Sequence, residues 1–141
     1  MGLPNINITF HTLAKALAAH GGKGTLAVIL KDTAAGEYTL YSAADIPDDL
    51  TDANKAYLSR AFLGNVTGPE KVLCKVLTSS AAIATGLAWA ETQTFDYLVG
   101  PPDLGASDAT SVVTWVKAQR AAGRKSKAVL ADSTADCEGI I

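Results

Sequence analysis

Cysteine is scarce: of 141 residues only Cys74 and Cys137 carry thiols, and neither has a cysteine or histidine close by in the sequence. That spacing excludes a thiolate metal cage or a paired redox centre, so both read as reduced, structural thiols. Excess charge of either sign is also missing. Twelve basic residues against fourteen acidic ones leave a formal charge of -2, which removes the usual electrostatic signature of a nucleic-acid or anionic-membrane partner. No apolar run reaches the roughly 18 residues that a membrane-spanning helix needs. The N-terminus lacks the basic-then-apolar layout of a signal peptide, so the expected compartment of synthesis and use is the cytoplasm. Sequence signatures of catalysis are absent as well: there is no G-x-S-x-G, H-E-x-x-H or G-x-G-x-x-G.

What is present is a chain 48% hydrophobic and 18% charged, the balance of one ordinary globular domain large enough to bury a core. Its hydrophobic periodicity alternates between two kinds. "TLAVILKD" (25–32) is a continuous apolar, β-branched run, the pattern of a central strand covered on both faces. "AAGEYTLYS" supplies a short turn and an edge-type strand, expected to run antiparallel to the first as a hairpin. Thr51 is placed to cap a helix through "DANKAYLSRAFLG", with Ala53, Tyr57, Leu58, Ala61 and Phe62 on one face and Gly64 as its stop. "EKVLCKVLT" (70–78) reads as a strand. A helix over 80–92 buries Ile83, Leu87 and Trp89 or Ala90, and leads to the strand "FDYLV". A further helix over 107–122 carries the stripe Ala109, Val112, Val113, Val116, with Asp108 and Arg120 suited to its dipole. "KSKAVLAD" (125–132) closes the series as a strand. This order implies an α/β fold with a mostly parallel sheet and helices packed on it. The domain is expected to span 21–141 and to be incomplete at its C-terminus, because "ADCEGII" follows a strand where another helix would ordinarily come.

Several stretches invite a chemical reading. "GGKGT" (21–25) leaves a helix and enters a strand, the reverse of a phosphate-binding loop, and Leu17 stands where that motif needs glycine. His11 and His20 lie too far apart along one helix to share a metal. "GPPDLGAS" (100–107) sits at a strand's carboxyl end, where α/β sheets bind ligands. Pro101 and Pro102 have no N–H, however, and make it a poor anion cradle and a rigid link. Asp96, Asp103 and Asp108 cluster around the same strand and form the one candidate acid–base or cation group. "GRKSK" (123–127) is a compact basic patch of the kind that ends solvated helices. No catalytic, cofactor-binding or metal-ligating residue emerges from this survey.

The N-terminal residues 1–20 stand apart. "NINITF" (5–10) alternates Ile6, Ile8 and Phe10 with Asn5, Asn7 and Thr9, the period-two pattern of a half-buried strand, and "HTLAKALAAH" (11–20) places Leu13, Ala14, Leu17 and Ala18 on one helical face. A lone strand is unstable in water and must pair with a sheet, its own or another molecule's. Donation to a neighbour adds roughly three to six ladder hydrogen bonds at about 0.5–1.5 kcal/mol each, weak singly and strong when repeated along a polymer.

Taken together and in order, "MGLPNINITF", "AVILKD", "DIPDDL", "FDYLVGPPD", "KAVLAD" and "ADCEGII" resemble the N-terminal part of contractile phage tail sheath proteins, as found in Gram-positive myophages, defective prophages and phage-tail-like bacteriocins. The resemblance implies a structural protein of the virion tail, assembled in the host bacterial cytoplasm. It implies self-assembly as stacked hexameric rings around a tail tube, contraction triggered at a baseplate, and no enzyme activity or cofactor. It also implies an N-terminal arm that links neighbouring subunits by completing their β-sheets, here Leu3, Asn5, Ile6, Asn7, Ile8, Thr9 and Phe10. Family members run longer, including a C-terminal arm. The competing expectation is a small-ligand or nucleotide-binding α/β module with its site at the 100–107 loop.

Overall fold

The computed structural model describes residues 24–64, 68–131, 134 and 137–141. The expected strand 5–10 and helix 11–20 lie outside the described residues. The remainder is one mostly parallel five-stranded sheet with three helices, as the alternating periodicities imply. The strands are β1 (Thr25–Asp32), β2 (Gly36–Leu40), β3 (Lys71–Thr78), β4 (Tyr97–Val99) and β5 (Ala128–Val129). The helices are α1 (Asp52–Leu63), α2 (Ile83–Glu91) and α3 (Ala106–Ala121). Spatial order is β2-β3-β1-β4-β5, with only β2 antiparallel.

β1 occupies the middle because it is apolar on both faces. Its alternate residues enter different cores: Ala27 and Ile29 join α2 and α3 on one side, Val28 and Leu30 join α1 on the other. On the first side α2 comes close enough that a Cβ at Gly86 would lie 2.8 Å from Ile29 Cγ2. Any larger residue there would have to displace the Ile29 side chain or shift the helix.

The expected hairpin is corrected. β2 is antiparallel and at the edge, but its partner is β3 and not β1, with Tyr38 opposite Cys74 and Leu40 opposite Val72. The three-residue link 33–35 gives four Cα steps, about 14 Å at full stretch, enough to cross the two strand spacings of about 4.8 Å each that β3 interposes. Composition decides the order. β3 buries five residues, Val72, Leu73, Cys74, Val76 and Leu77, drawn from both faces, and needs the interior place, whereas Glu37 and Thr39 of β2 are exposed.

The helices also depart from their sequence patterns in detail. Thr51 does not cap α1 with its side chain. On α1 the buried residues are Asn54 and Leu58, with Tyr57, Ala61 and Phe62 half-buried, while Ala53 faces solvent. Ala90, not Trp89, is the fully buried member of its pair on α2. Gly64 does follow the last turn of α1, at φ 56°. At the far edge, residues 139–141 return beside β5: Ala128 N–H donates to the Gly139 carbonyl (2.7 Å) and Leu130 N–H to that of Ile141 (2.9 Å). Gly139 adopts φ +99°, and a Cβ there would lie 2.9 Å from the Ser126 carbonyl oxygen, so a side chain is disfavoured on both counts.

Leu58 has no exposure and fills the space between α1 and the sheet. Leu58→Ala should cost about 2–5 kcal/mol in denaturant unfolding. Cys74 is fully buried and its thiol is pushed up to about 12 by that burial, whereas Cys137 is partly accessible. A thiol reagent should therefore modify one cysteine in the native protein and two after denaturation.

Candidate interaction surfaces

The carboxyl ends of β1 and β4 meet where chain connections diverge to opposite sides of the sheet, the corner at which α/β folds commonly bind ligands. Asp32 ends β1 there, only 4% exposed. One carboxylate oxygen accepts from Thr51 N–H (2.9 Å), the Thr51 hydroxyl (3.0 Å) and Asn54 Nδ2 (2.7 Å). The other accepts from Thr33 N–H at 2.7 Å. The Asn54 side-chain bond, then the backbone donors of Thr51 and Thr33, hold its pKa far below the ordinary carboxylate range. Asn54 Nδ2 also donates to the Lys31 carbonyl at 2.9 Å. Thr51 thus serves the start of α1 by fastening it to β1, a use of its hydroxyl that competes with capping. Sequence reasoning did not single out Asp32 or Asn54. Their signal was a charged residue closing an apolar strand and an amide in the first turn of the next helix.

The neighbouring loop is engaged in the same internal way. The Tyr57 hydroxyl donates to the Gly100 carbonyl (3.1 Å), and Leu104 N–H donates to that of Pro101 (3.2 Å). Pro101 is buried. Lys31 Nζ pairs with Asp108 at 3.1 Å across the corner. The three aspartates grouped in sequence are not brought together. Asp96 lies before β4, where it accepts from Thr25 N–H at 2.7 Å, while Asp103 and Asp108 follow β4 at its opposite end. Three strand residues at about 3.3 Å each separate the two groups. At the 100–107 loop the Gly100 and Pro101 carbonyls and the Leu104 N–H are taken by neighbouring protein atoms.

At the amino ends of the strands lies a cleft of about 790 Å³, lined by Glu91, Phe95, Tyr97, Trp115, Gln119 and Arg124 among others. Its polar wall is a network: Glu91 Oε1 accepts from Trp115 Nε1 and Gln119 Nε2, both at 2.9 Å, and Arg124 donates to the Glu91 carbonyl at 2.9 Å. The basic patch 123–127 is partly absorbed here, with Lys127 seated over the Tyr97 ring, 5.2 Å from its centroid. The outer edge of β2 has no strand partner among the described residues. The proposed arm residues Leu3 to Phe10 lie outside the described residues.

These features define an α/β layered domain built on an open sheet, a class that hosts many unrelated functions and assigns none by itself. No protein-family model matches the chain. Over an alignment of 146 residues it is 38% identical to the tail sheath protein of Clostridium phage phiCD119, a match covering 99% of this chain and 41% of that protein. The chain is a homologue of a phage tail sheath protein and spans about two-fifths of its length.

The Asp32 network gives a pH signature. Its pKa is lower in the folded than in the unfolded chain, so its contribution to stability is complete above the ordinary value near 3.8 and is lost as pH falls below it. Asp32→Asn should be less stable than the parent at pH 7 and show a flatter stability profile between about pH 4 and pH 2 in denaturant titrations. Parallel profiles for the two proteins would exclude this role.

Proposed function

We propose that this chain is part of a structural subunit of a contractile tail sheath. The subunit assembles into a helical tube of stacked hexameric rings around the tail tube and contracts to drive injection or membrane puncture. Sequence identity with a tail sheath protein across 99% of the chain carries this reading. Its partners are other copies of itself and, in the full assembly, the tail tube protein and the baseplate. It acts without catalysis, cofactor or nucleic acid and without direct membrane binding. It is assembled in the host cytoplasm and resides in the virion tail. At the 100–107 corner Tyr57, Lys31 and Asp108 are partnered within the protein, and no observation favours the small-ligand reading over this one.

Neighbours are linked by strand addition through the N-terminal arm, Leu3 to Phe10. Its alternation of apolar and polar residues suits one face against a partner's sheet, and strand addition needs an open edge such as that of β2. Head-to-tail contacts of this kind generate an open helix when the rotation does not close.

The test is the mass and shape of the longer natural chain, by light scattering and negative-stain microscopy. Tubes or rings are expected from it. Ile8→Pro removes one ladder donor and should reduce the product to monomers while the melting temperature of the globular part stays unchanged. Normal polymers from the proline variant would sink the arm linkage, and compact monomers from the unsubstituted longer chain would sink the sheath reading.

A further inference from the structure

The near-neutral formal charge of -2 conceals two groups of opposite sign at opposite sides of the sheet. Residues 41–54 carry Asp45, Asp48, Asp49 and Asp52 and no lysine or arginine. Residues 117–127 carry Lys117, Arg120, Arg124, Lys125 and Lys127 and no aspartate or glutamate. The fold holds the first group beside β2. Asp45 accepts from the Tyr41 and Ser42 N–H groups, at 2.9 and 2.8 Å, directly after that strand. Burial and then the nearby Asp49 carboxylate push up the pKa of Tyr38 in the strand itself, and Leu50 packs in the same core as Leu40. The second group is held at β5. Residues 122–127 link α3 to that strand, with Arg120 donating to the Ser126 carbonyl at 3.3 Å and the Lys127 carbonyl accepting from Leu98 N–H at 2.9 Å. β2 and β5 are the first and last of five strands, so four spacings of about 4.8 Å, roughly 19 Å in all, separate them.

Part of each group is used inside the fold: Arg120 pairs with Glu138, Asp52 with Lys55 at 3.8 Å, and Lys127 lies over the Tyr97 ring. Lys117, Lys125 and Asp48 are exposed and have no ionic partner among the described residues. Glu91 and Asp96 line the cleft next to the basic group, but their carboxylates are held by Trp115, Gln119 and the Thr25 N–H rather than by its cations. We propose that the two groups are the complementary sides of a contact between copies of this chain, the acidic 45–52 segment of one copy meeting the basic 117–127 segment of the next. The placement selects a second copy and also its arrangement. A copy displaced across the sheet brings acid onto base, whereas a two-fold related copy sharing either patch brings like charges together. The contact is therefore heterologous and repeats along a row. A net charge this close to zero leaves little overall repulsion between copies. Exposed ion pairs are individually weak, so two copies alone associate weakly and the contact gains by repetition. The proposal deepens the self-assembly reading and rests on it, and it uses surfaces other than the arm.

The experiment is static light scattering of the 141-residue chain over a concentration series, in about 10 mM and about 1 M sodium chloride, where the Debye length falls from about 30 Å to about 3 Å. The apparent mass should rise above that of the monomer at low salt and return to it at high salt. Lys117→Glu with Lys125→Glu should raise the low-salt dissociation constant by on the order of tenfold or more, and Asp48→Lys with Asp49→Lys should do the same. The chain carrying all four substitutions keeps the parent's formal charge of -2 and should associate as the parent does. A parent that stays monomeric at low salt overturns the proposal. So does association that neither pair of substitutions weakens, or a loss that the four together do not restore. Protection of the buried Cys74 from a thiol reagent reports the fold of each chain. A pair that loses this protection is replaced by Lys117→Gln with Lys125→Gln, or by Asp48→Asn with Asp49→Asn. These should still weaken association, and unchanged association from them counts against the contact. The sheath reading is tested separately on the longer chain, so tubes there with salt-insensitive monomers here would sink this contact alone.

Discussion

The burial of β1 is the constraint from which the rest of the fold follows. Its residues enter two separate cores by alternation, so a helix must be supplied to each face. Both of its edges are paired, to β3 over eight residues and to β4 over three. A strand this apolar cannot lie at a sheet edge without exposing one flank to other chains. The neighbours are therefore recruited by β1: β3 through α1, and β4 through α2 after the chain has crossed over it. Asp32 completes the arrangement at its carboxyl end. A carboxylate taken out of water is costly unless its oxygens are satisfied, and here Thr33, Thr51 and Asn54 satisfy them while fixing where α1 begins.

The elements with strong one-dimensional signals were legible in the sequence. β1 and β3 are continuous apolar runs, and α3 has its Val112, Val113, Val116 stripe. The class of fold followed from their alternation. The position of β2 was not legible, because a short link reports that two strands run in opposite directions but not whether a third will slide between them. Nor was the fate of Thr51. A hydroxyl before a helix has a local use and a long-range one, and the long-range partner, Asp32, is 19 positions away. The three aspartates around β4 illustrate the same limit. Closeness along the chain becomes separation in space whenever a strand intervenes.

The polar groups at one corner of the sheet are spent on building the fold. At the carboxyl-end corner Lys31, Asp32, Tyr57 and Asp108 bond with one another, with Thr51 and Asn54, or with backbone. What the polar groups do not indicate, homology with a tail sheath protein does in part. Contact surfaces carry little signature in a single sequence, since an open sheet edge such as that of β2 is defined by what approaches it.

The path of the chain through the sheet has a mechanical meaning. β1 enters at its amino end in the middle of the sheet, next to Gly24, and residues 139–141 run beside β5 at the outer edge, pointing the same way. Tension applied between these two places is directed lengthwise along the strands β1, β4 and β5. Their hydrogen bonds are then strained together in shear and cannot be opened one rung at a time, as they would be if the pull ran across the sheet. A domain threaded in this way resists tension between Gly24 and residues 139–141 as a stiff link.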